Sequence, residues 1–348
     1  MERRSLVTSA AYSVAAAALP LGAVQDLAGR VATARHRGVA GAAEVAAVQD
    51  MTAMFVQLDE RHGGQHGRSA VAQYLRSDVA DLCSGSFRTP RDRQAMLLAA
   101  ASLAYLLAWK AFDAGEHGLC QRYYLQCYQL TRAAESEPHQ AFILRGMAHH
   151  GLDTGHPDHC VDLADAALAR ARGHVDPATE ALMMICRART LAADGRATEA
   201  VTEADRAAEL AMRADDAERV PHWSALWGPS QATIASHTAR IHITLRDYSS
   251  AERYYARAAR TYGRSTEHAR VAGLVKFDLG RVQLRQGHVE RACATWSEAL
   301  DVLQGVRSQR ATKAVTGVRK QLRMFAGRGV RAAADLDERA RSWQLTHR

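Results

Sequence analysis

The sequence predicts an all-α chain of stacked helical hairpins, and three observations carry that prediction. A small residue, a turn residue seven positions on, and small residues five and twelve beyond the turn recur five times at close to a 40-residue period. The sets are Ala108/Gly115/Cys120/Cys127, Ala148/Gly155/Cys160/Ala167, Ala188/Gly195/Ala200/Ala207, Ala239/Arg246/Ala251/Ala258 and Gly280/Gly287/Ala292/Ala299. Small side chains at fixed offsets are needed where two helices approach closely, and the residue between them marks the chain reversal of a helix–turn–helix array. Pro138, Pro177 and Pro229 each precede their turn residue by 17 or 18 positions, the length of a helix of about five turns. Proline is tolerated at a first helical position, where its missing N–H has no partner to lose. Finally, the chain is 47% hydrophobic but only 6% aromatic, with no alternating strand pattern, so its apolar content is carried by alanine, the best helix former.

Along the chain, residues 1–40 read as Ala-rich helices. Their start, Met1-Glu2-Arg3-Arg4-Ser5-Leu6-Val7, has the look of a twin-arginine export signal. Tyr12, Ser13 and Pro20 interrupt the apolar run, so a first helix packed on the array is the preferred reading. Residues 41–88 form a helical hairpin. Val45, Val48, Met51, Met54, Phe55 and Leu58 recur near a 3.6 period and stop at Gly63-Gly64; Val71, Tyr74, Leu75, Val79 and Leu82 line its partner. Residues 89–305 hold the five repeats, opened by Thr89-Pro90 as cap and first helical residue. The turn residues are spaced 40, 40, 51 and 41 apart, which places an eleven-residue insertion around Asp215 to Pro229. Its Trp223 and Trp227 read as plugs for a gap between misregistered units. Residues 306–348 form a degenerate capping repeat: Gly327 and Ala332 keep the spacing while Lys320 and Arg339 replace small residues.

Net charge is +8 with a pI near 9.4, which admits an acidic partner or nucleic acid. Residues 306–331 concentrate Arg307, Arg310, Lys313, Arg319, Lys320, Arg323, Arg328 and Arg331, with Val315, Val318, Leu322 and Phe325 on another face. This basic C-terminal helix is a candidate nucleic acid contact. Three of six cysteines (Cys120, Cys127, Cys160) occupy packing slots as small apolar groups, which fits a reduced, cytoplasmic protein. No membrane partner is expected, and a homodimer stays open. His156, His159 and Cys160 share a turn, but Cys160 is committed to a packing slot, so no metal and no cofactor is expected. No nucleophile elbow, phosphate-cradling glycine loop, dinucleotide fingerprint or HExxH occurs, so the expectation is not an enzyme, with an accessory role to one as an alternative.

Leu245-Arg-Asp-Tyr-Ser-Ser-Ala251-Glu-Arg-Tyr-Tyr255-Ala-Arg-Ala258 resembles the turn and second helix of a tetratricopeptide repeat (TPR), and Leu279-Gly280 with Gly287, Ala292 and Ala299 is similar. Phe55-Val-Gln-Leu-Asp-Glu-Arg-His-Gly-Gly64, Ala72-Gln-Tyr-Leu75, Trp109-Lys-Ala-Phe-Asp-Ala-Gly115 and Cys120-Gln-Arg-Tyr-Tyr124 resemble actinobacterial regulators. Those join a helix-turn-helix DNA-binding domain to a TPR-like sensor region. The resemblance implies a TPR-like right-handed superhelix and a sensor or scaffold role in transcriptional or developmental regulation. No helix-turn-helix precedes it here, so direct DNA reading is not expected from it.

Arrays of that kind bind extended peptides along a groove lined by first helices. Positions six and ten before each turn share a face with those two and three before it. That face carries Tyr105 and Trp109 in front and Arg145, His149, Arg189, Arg240 and Arg281 behind, with Asp113 beside the first turn. Arginine forks bind carboxylates bidentately, so the expected partner is an acidic or C-terminal peptide segment. The competing reading pairs these arginines with Asp113, Asp153 and Asp278. If the groove is open, charge reversal at Arg189 and Arg240 abolishes capture and leaves melting unchanged.

Overall fold

The computed structural model describes residues 39–213, 221–264 and 266–347; the export-signal and packing-helix readings of residues 1–38 lie outside the described residues. The described chain opens with β1 (Val39–Ala40), which pairs in parallel with β2 (Ser86–Phe87). Between them runs the N-terminal hairpin. Helix α1 (Ala42–His62) is followed by α2 (Arg68–Tyr74), which continues through a π turn (Leu75–Val79) into α3 (Ala80–Ser84).

The array follows in pairs. These are α4 (Pro90–Asp113) with α5 (His117–Ala133), α6 (Glu137–Asp153) with α7 (Cys160–Ala171), and α8 (Pro177–Ala193) with α9 (Ala197–Arg213). The short α10 (His222–Ala225) precedes α11 (Ser230–Thr244) with α12 (Tyr248–Tyr262), then α13 (Ala269–Arg285) with α14 (Val289–Val302), and finally α15 (Gln309–Ala326) with α16 (Arg331–Thr346). Thr89, Asp176, Asp247 and Ser308 each accept a backbone N–H from the first turn of their helix, satisfying one of its orphan donors.

The fold is an all-α, TPR-like superhelix of stacked hairpins, and the repeat signature sets its phase. Every small residue of the five sets is buried. The turn residues all take left-handed backbone: Gly115 (φ 77°), Gly155 (80°), Gly195 (81°), Arg246 (61°) and Gly287 (86°). At Gly155 the dihedral alone favours glycine, since an added Cβ would meet nothing within 4 Å. At Gly280 space decides, because a Cβ would stand 2.5 Å from Trp296 Nε1. Helix α4 is long and apolar enough to cross a membrane by length and composition, but 78% of its apolar window is buried inside the array, where Leu103, Leu106 and Leu107 fill the core.

The terminal unit departs from the expected register. Gly327 has φ −63°, and the left-handed turn falls at Gly329 (φ 80°). Ala333, not Ala332, is the fully buried small residue of α16. Lys320 and Arg339 are exposed, the buried small pair of α16 is Ala333 and Ala340, one position later than expected, and the left-handed turn falls two later. The tryptophans of the insertion do fill a gap: Trp223 packs on Phe142 (5.2 Å between centroids) and Trp227 on Tyr105 (4.9 Å).

One long-range contact was not expected. Helix α1 packs on α4 and also on α13, so the array curls until its fifth unit meets its first helices. The backbone N–H of Arg307 donates to the His62 carbonyl (2.7 Å), which ties the start of the terminal unit to the end of α1.

Candidate functional site

The curl encloses two clusters of buried charge. The first joins α1, α4 and α13. Asp59, a charged residue on the buried stripe of Val45, Val48, Thr52 and Val56, faces Lys110 Nζ (3.0 Å) and Arg270 Nη1 (2.8 Å). Arg270 is fully buried and its Nη2 donates to Glu60. Burial alone would raise Glu60, but Arg270 and His268 overcome it and hold its carboxyl below the usual range. Burial disfavours the Arg270 cation, yet Asp59, Glu60 and Asp113 raise its pKa above the ordinary arginine value.

Asp113 belongs to this clasp. It accepts from Gly64 N (3.0 Å) and from Ser308 Oγ (2.7 Å), so it fastens the N-terminal hairpin and the terminal unit to α4. Its expected place beside a peptide groove is therefore corrected: both oxygens are occupied by Gly64 of the N-terminal hairpin and Ser308 of the terminal unit, which the repeat pattern did not bring together.

The second cluster is centred on Asp153. Its carboxylate accepts from Arg189 Nη2 (2.7 Å) and from Arg240 Nη1 (2.9 and 3.1 Å), and Arg310 Nη2 lies at 4.0 Å. His149 Nδ1 accepts from Arg189 Nη1 (3.1 Å), so its proton sits on Nε2, 3.4 Å from Asp153 Oδ2. Burial would raise the Asp153 pKa, but Arg240, His149 and Arg189 hold it well below the carboxylate range. Arg240 also reaches Asp278 (3.6 Å), which accepts from Tyr255 OH (3.3 Å) and Arg281 Nη1 (3.0 Å). The arginine row is thus not an open ladder. Arg189 and Arg240 are neutralised from within, because Asp153 and Asp278 fall on the same inner face.

Against these clusters lies a cavity of about 100 Å³, lined by the rings of Tyr105, Trp109, Trp227, Tyr255 and Tyr262 and by His149, His237, Arg240, Asp278 and Arg310. At roughly 30 Å³ per water it holds a few waters or one side-chain head group, not a length of peptide. Arg310 is the least compensated cation: it stands over Trp109 (5.7 Å) and Phe112 (4.7 Å), and burial lowers its pKa.

Of the expected site residues, Tyr105, Trp109, His149 and Arg240 line this cavity, and Arg189 supports it through Asp153 and His149. Arg145 instead donates to the Leu182 carbonyl (3.1 Å) and stands over Phe142 (5.6 Å), and Arg281 is 44% exposed beyond Asp278. Sequence reasoning missed Arg310, His237, Tyr255 and Tyr262. The first arrives from a unit whose register had slipped; Tyr255, four after Ala251 on a second helix, shares that residue's buried side.

Buried, neutral histidines set a pH response. Burial pulls His139 to about 4, and burial with His117 pulls His150 to about 4, from an ordinary 6.5. Burial, joined by nearby arginines, also lowers His149 and His237 well below it. A folded pKa below the unfolded one means that stability is complete above pH 6.5 and is lost as pH falls toward 4. We expect the unfolding free energy from urea titrations to fall between pH 7.5 and pH 5, by on the order of 2 kcal/mol for each of His139 and His150, and the midpoint to fall with it. A midpoint that does not move would show these imidazoles to be solvated.

No family model matches the sequence, and no curated protein matches it. Among solved structures the chain is similar to a Rap protein complexed with competence and sporulation factor (14% identity, 87% of this chain and 98% of that one, TM-score 0.47). It is similar to a putative kinesin light chain of Podosopora anserina with nearly identical TPR-like repeats (15%, 59% and 96%, 0.38). It is also similar to a STAND protein with a tetratricopeptide repeat sensor from Pyrococcus horikoshii (13%, 89% and 50%, 0.39). All three scores are under 0.5, and the fold assignment rests on the buried slots and left-handed turns.

Proposed function

We propose that the protein is a non-enzymatic interaction module, a cytoplasmic sensor or scaffold in bacterial transcriptional or developmental regulation. Its interior receives an acidic side chain or C-terminal carboxylate of a partner peptide. The supporting observation is the cavity between Trp109, Trp227 and Tyr255, into which Arg310 projects with its nearest carboxylate 4.0 Å away. An incoming carboxylate completes the coordination that Asp153 only begins, and the rings pack its aliphatic stem. Because the cavity holds one head group, the rest of the peptide lies outside it.

Ten-residue peptides of acidic composition with a free C-terminus, their amidated forms, and basic peptides test this through the fluorescence of Trp109 and Trp227. Acidic peptides are expected to bind, and Arg310→Gln is expected to weaken them about tenfold or more while the melting temperature holds. Equal binding of the acidic and basic sets would refute the reading.

A further inference from the structure

The outer face of α12 differs from its surroundings. Arg253, Arg257 and Arg260 are exposed three or four residues apart and fall within about 60° of arc at 100° per residue, and Arg264, also exposed, follows two residues past the helix end at Tyr262. Several arginines of the surrounding units are paired, as in Arg196–Glu199, Arg291–Glu252 and Arg339–Asp301, and exposed ones without an ion pair among the described residues, such as Arg132, Arg206 and Arg341, stand singly rather than in a row. Among the described residues no carboxylate lies within ion-pair distance of the α12 row; Arg253 donates to Ser250 Oγ (2.9 Å). Helix α11, packed alongside, contains no Asp or Glu, the carboxylate of α13 (Asp278) is engaged in the interior, and Glu252 turns away to Arg291.

We propose that this ridge binds the phosphate backbone of duplex DNA without reading its sequence. Four guanidinium groups over a rise of about 16 Å face a duplex that offers one phosphate per roughly 3.4 Å of axis on each strand. Ala256 and Gly263 flank the row on one side, and on the other Arg257 borders Tyr254 and the exposed Met212 of α9, so the apolar surface lies at one edge of the row and not at its centre. It has no exposed aromatic ring on which a single strand could stack, and the exposed Ser249 hydroxyl shares its arc. Exposed acids on the flanking second helices, Glu199, Asp205 and Glu209 of α9 and Glu290 and Glu298 of α14, confine the surface to one ridge. The basic α15 is the weaker candidate, because Arg310 turns into the interior and Arg319 is held by Asp337 (2.8 Å).

The test measures fluorescence anisotropy of a labelled 20-base-pair DNA duplex of arbitrary sequence with the full chain from 50 to 200 mM salt. About four phosphate contacts predict a slope of log K against log salt near −3.6, a roughly 150-fold loss over that range. The R253A/R257A/R260A/R264A variant, with helix content checked by circular dichroism, is expected to lose binding, and K313A/K320A/R323A to keep it. No binding at 50 mM salt, binding retained by the α12 variant, or loss confined to the α15 variant overturns the proposal. Equal affinity for poly-L-glutamate, tighter binding to an RNA duplex, or self-association of the chain that accounts for the salt effect overturns it as well. None of these variants touches the interior cavity, so a negative result leaves the peptide reading standing.

Discussion

Arg270→Met is expected to lower the unfolding free energy by about 3–5 kcal/mol, the cost of leaving buried carboxylates without their cation. Arg270 is fully buried, meets Asp59 at 2.8 Å, and donates to Glu60. Methionine fills much of the same volume, so the loss reports charge rather than a void. Lys110 still faces Asp59 at 3.0 Å, which leaves Glu60, with His268 at 3.9 Å, as the buried acid short of a cation. Adding Glu60→Gln to Arg270→Met should therefore recover a large part of the midpoint in urea. Hydrogen exchange should show the loss first at α1 and α13, the two helices that the residue joins. If Arg270→Met unfolds at the wild-type midpoint, the clasp does not hold the array together.

Asp153→Ala should cost a similar amount, about 3–5 kcal/mol, because Arg189 and Arg240 then confront one another with no carboxylate between them. The vacated site is the size of a small carboxylate. Sodium formate should restore melting that sodium chloride at equal ionic strength does not, since only formate offers the oxygen pair that accepts from Arg240 Nη1 and Arg189 Nη2. Failure of both salts to distinguish themselves would mean that the cluster is wet and screened. The same geometry reverses the expectation that Arg189→Glu with Arg240→Glu leaves melting unchanged. Either glutamate would face Asp153 within the interior, and like charges at that distance cannot both stay ionised.

How much of this could be read in advance follows from the range of each signal. The pairing of helices was legible because close packing demands small residues at Ala148, Cys160 and Ala167 and their equivalents, and such slots are local to one hairpin. The fourth turn was legible despite Arg246 because the slots on either side kept their offsets. The inner face was legible in part: helix periodicity correctly put Trp109, His149 and Arg240 on one side. It could not say that the side was closed. Closure depends on how many units complete the curl, and no residue in a single unit encodes that. Asp113 illustrates the limit, since its partners Gly64 and Ser308 stand 49 and 195 residues away. A signal was nonetheless present. Asp59 continues the apolar stripe of α1, and an acid in that register calls for a buried cation somewhere in the chain.

The contact between Glu60 and Arg270 spans 210 residues, and this separation bears on how the protein is made. At a ribosome adding about 5–20 residues per second, Asp59 and Glu60 emerge roughly 10–40 s before their guanidinium partner exists. Over that interval α1 can settle against α4 with Asp59 paired to Lys110, but Glu60 is left without its guanidinium. The arrival of α13 is therefore the event that completes the charge pairing of the first helix.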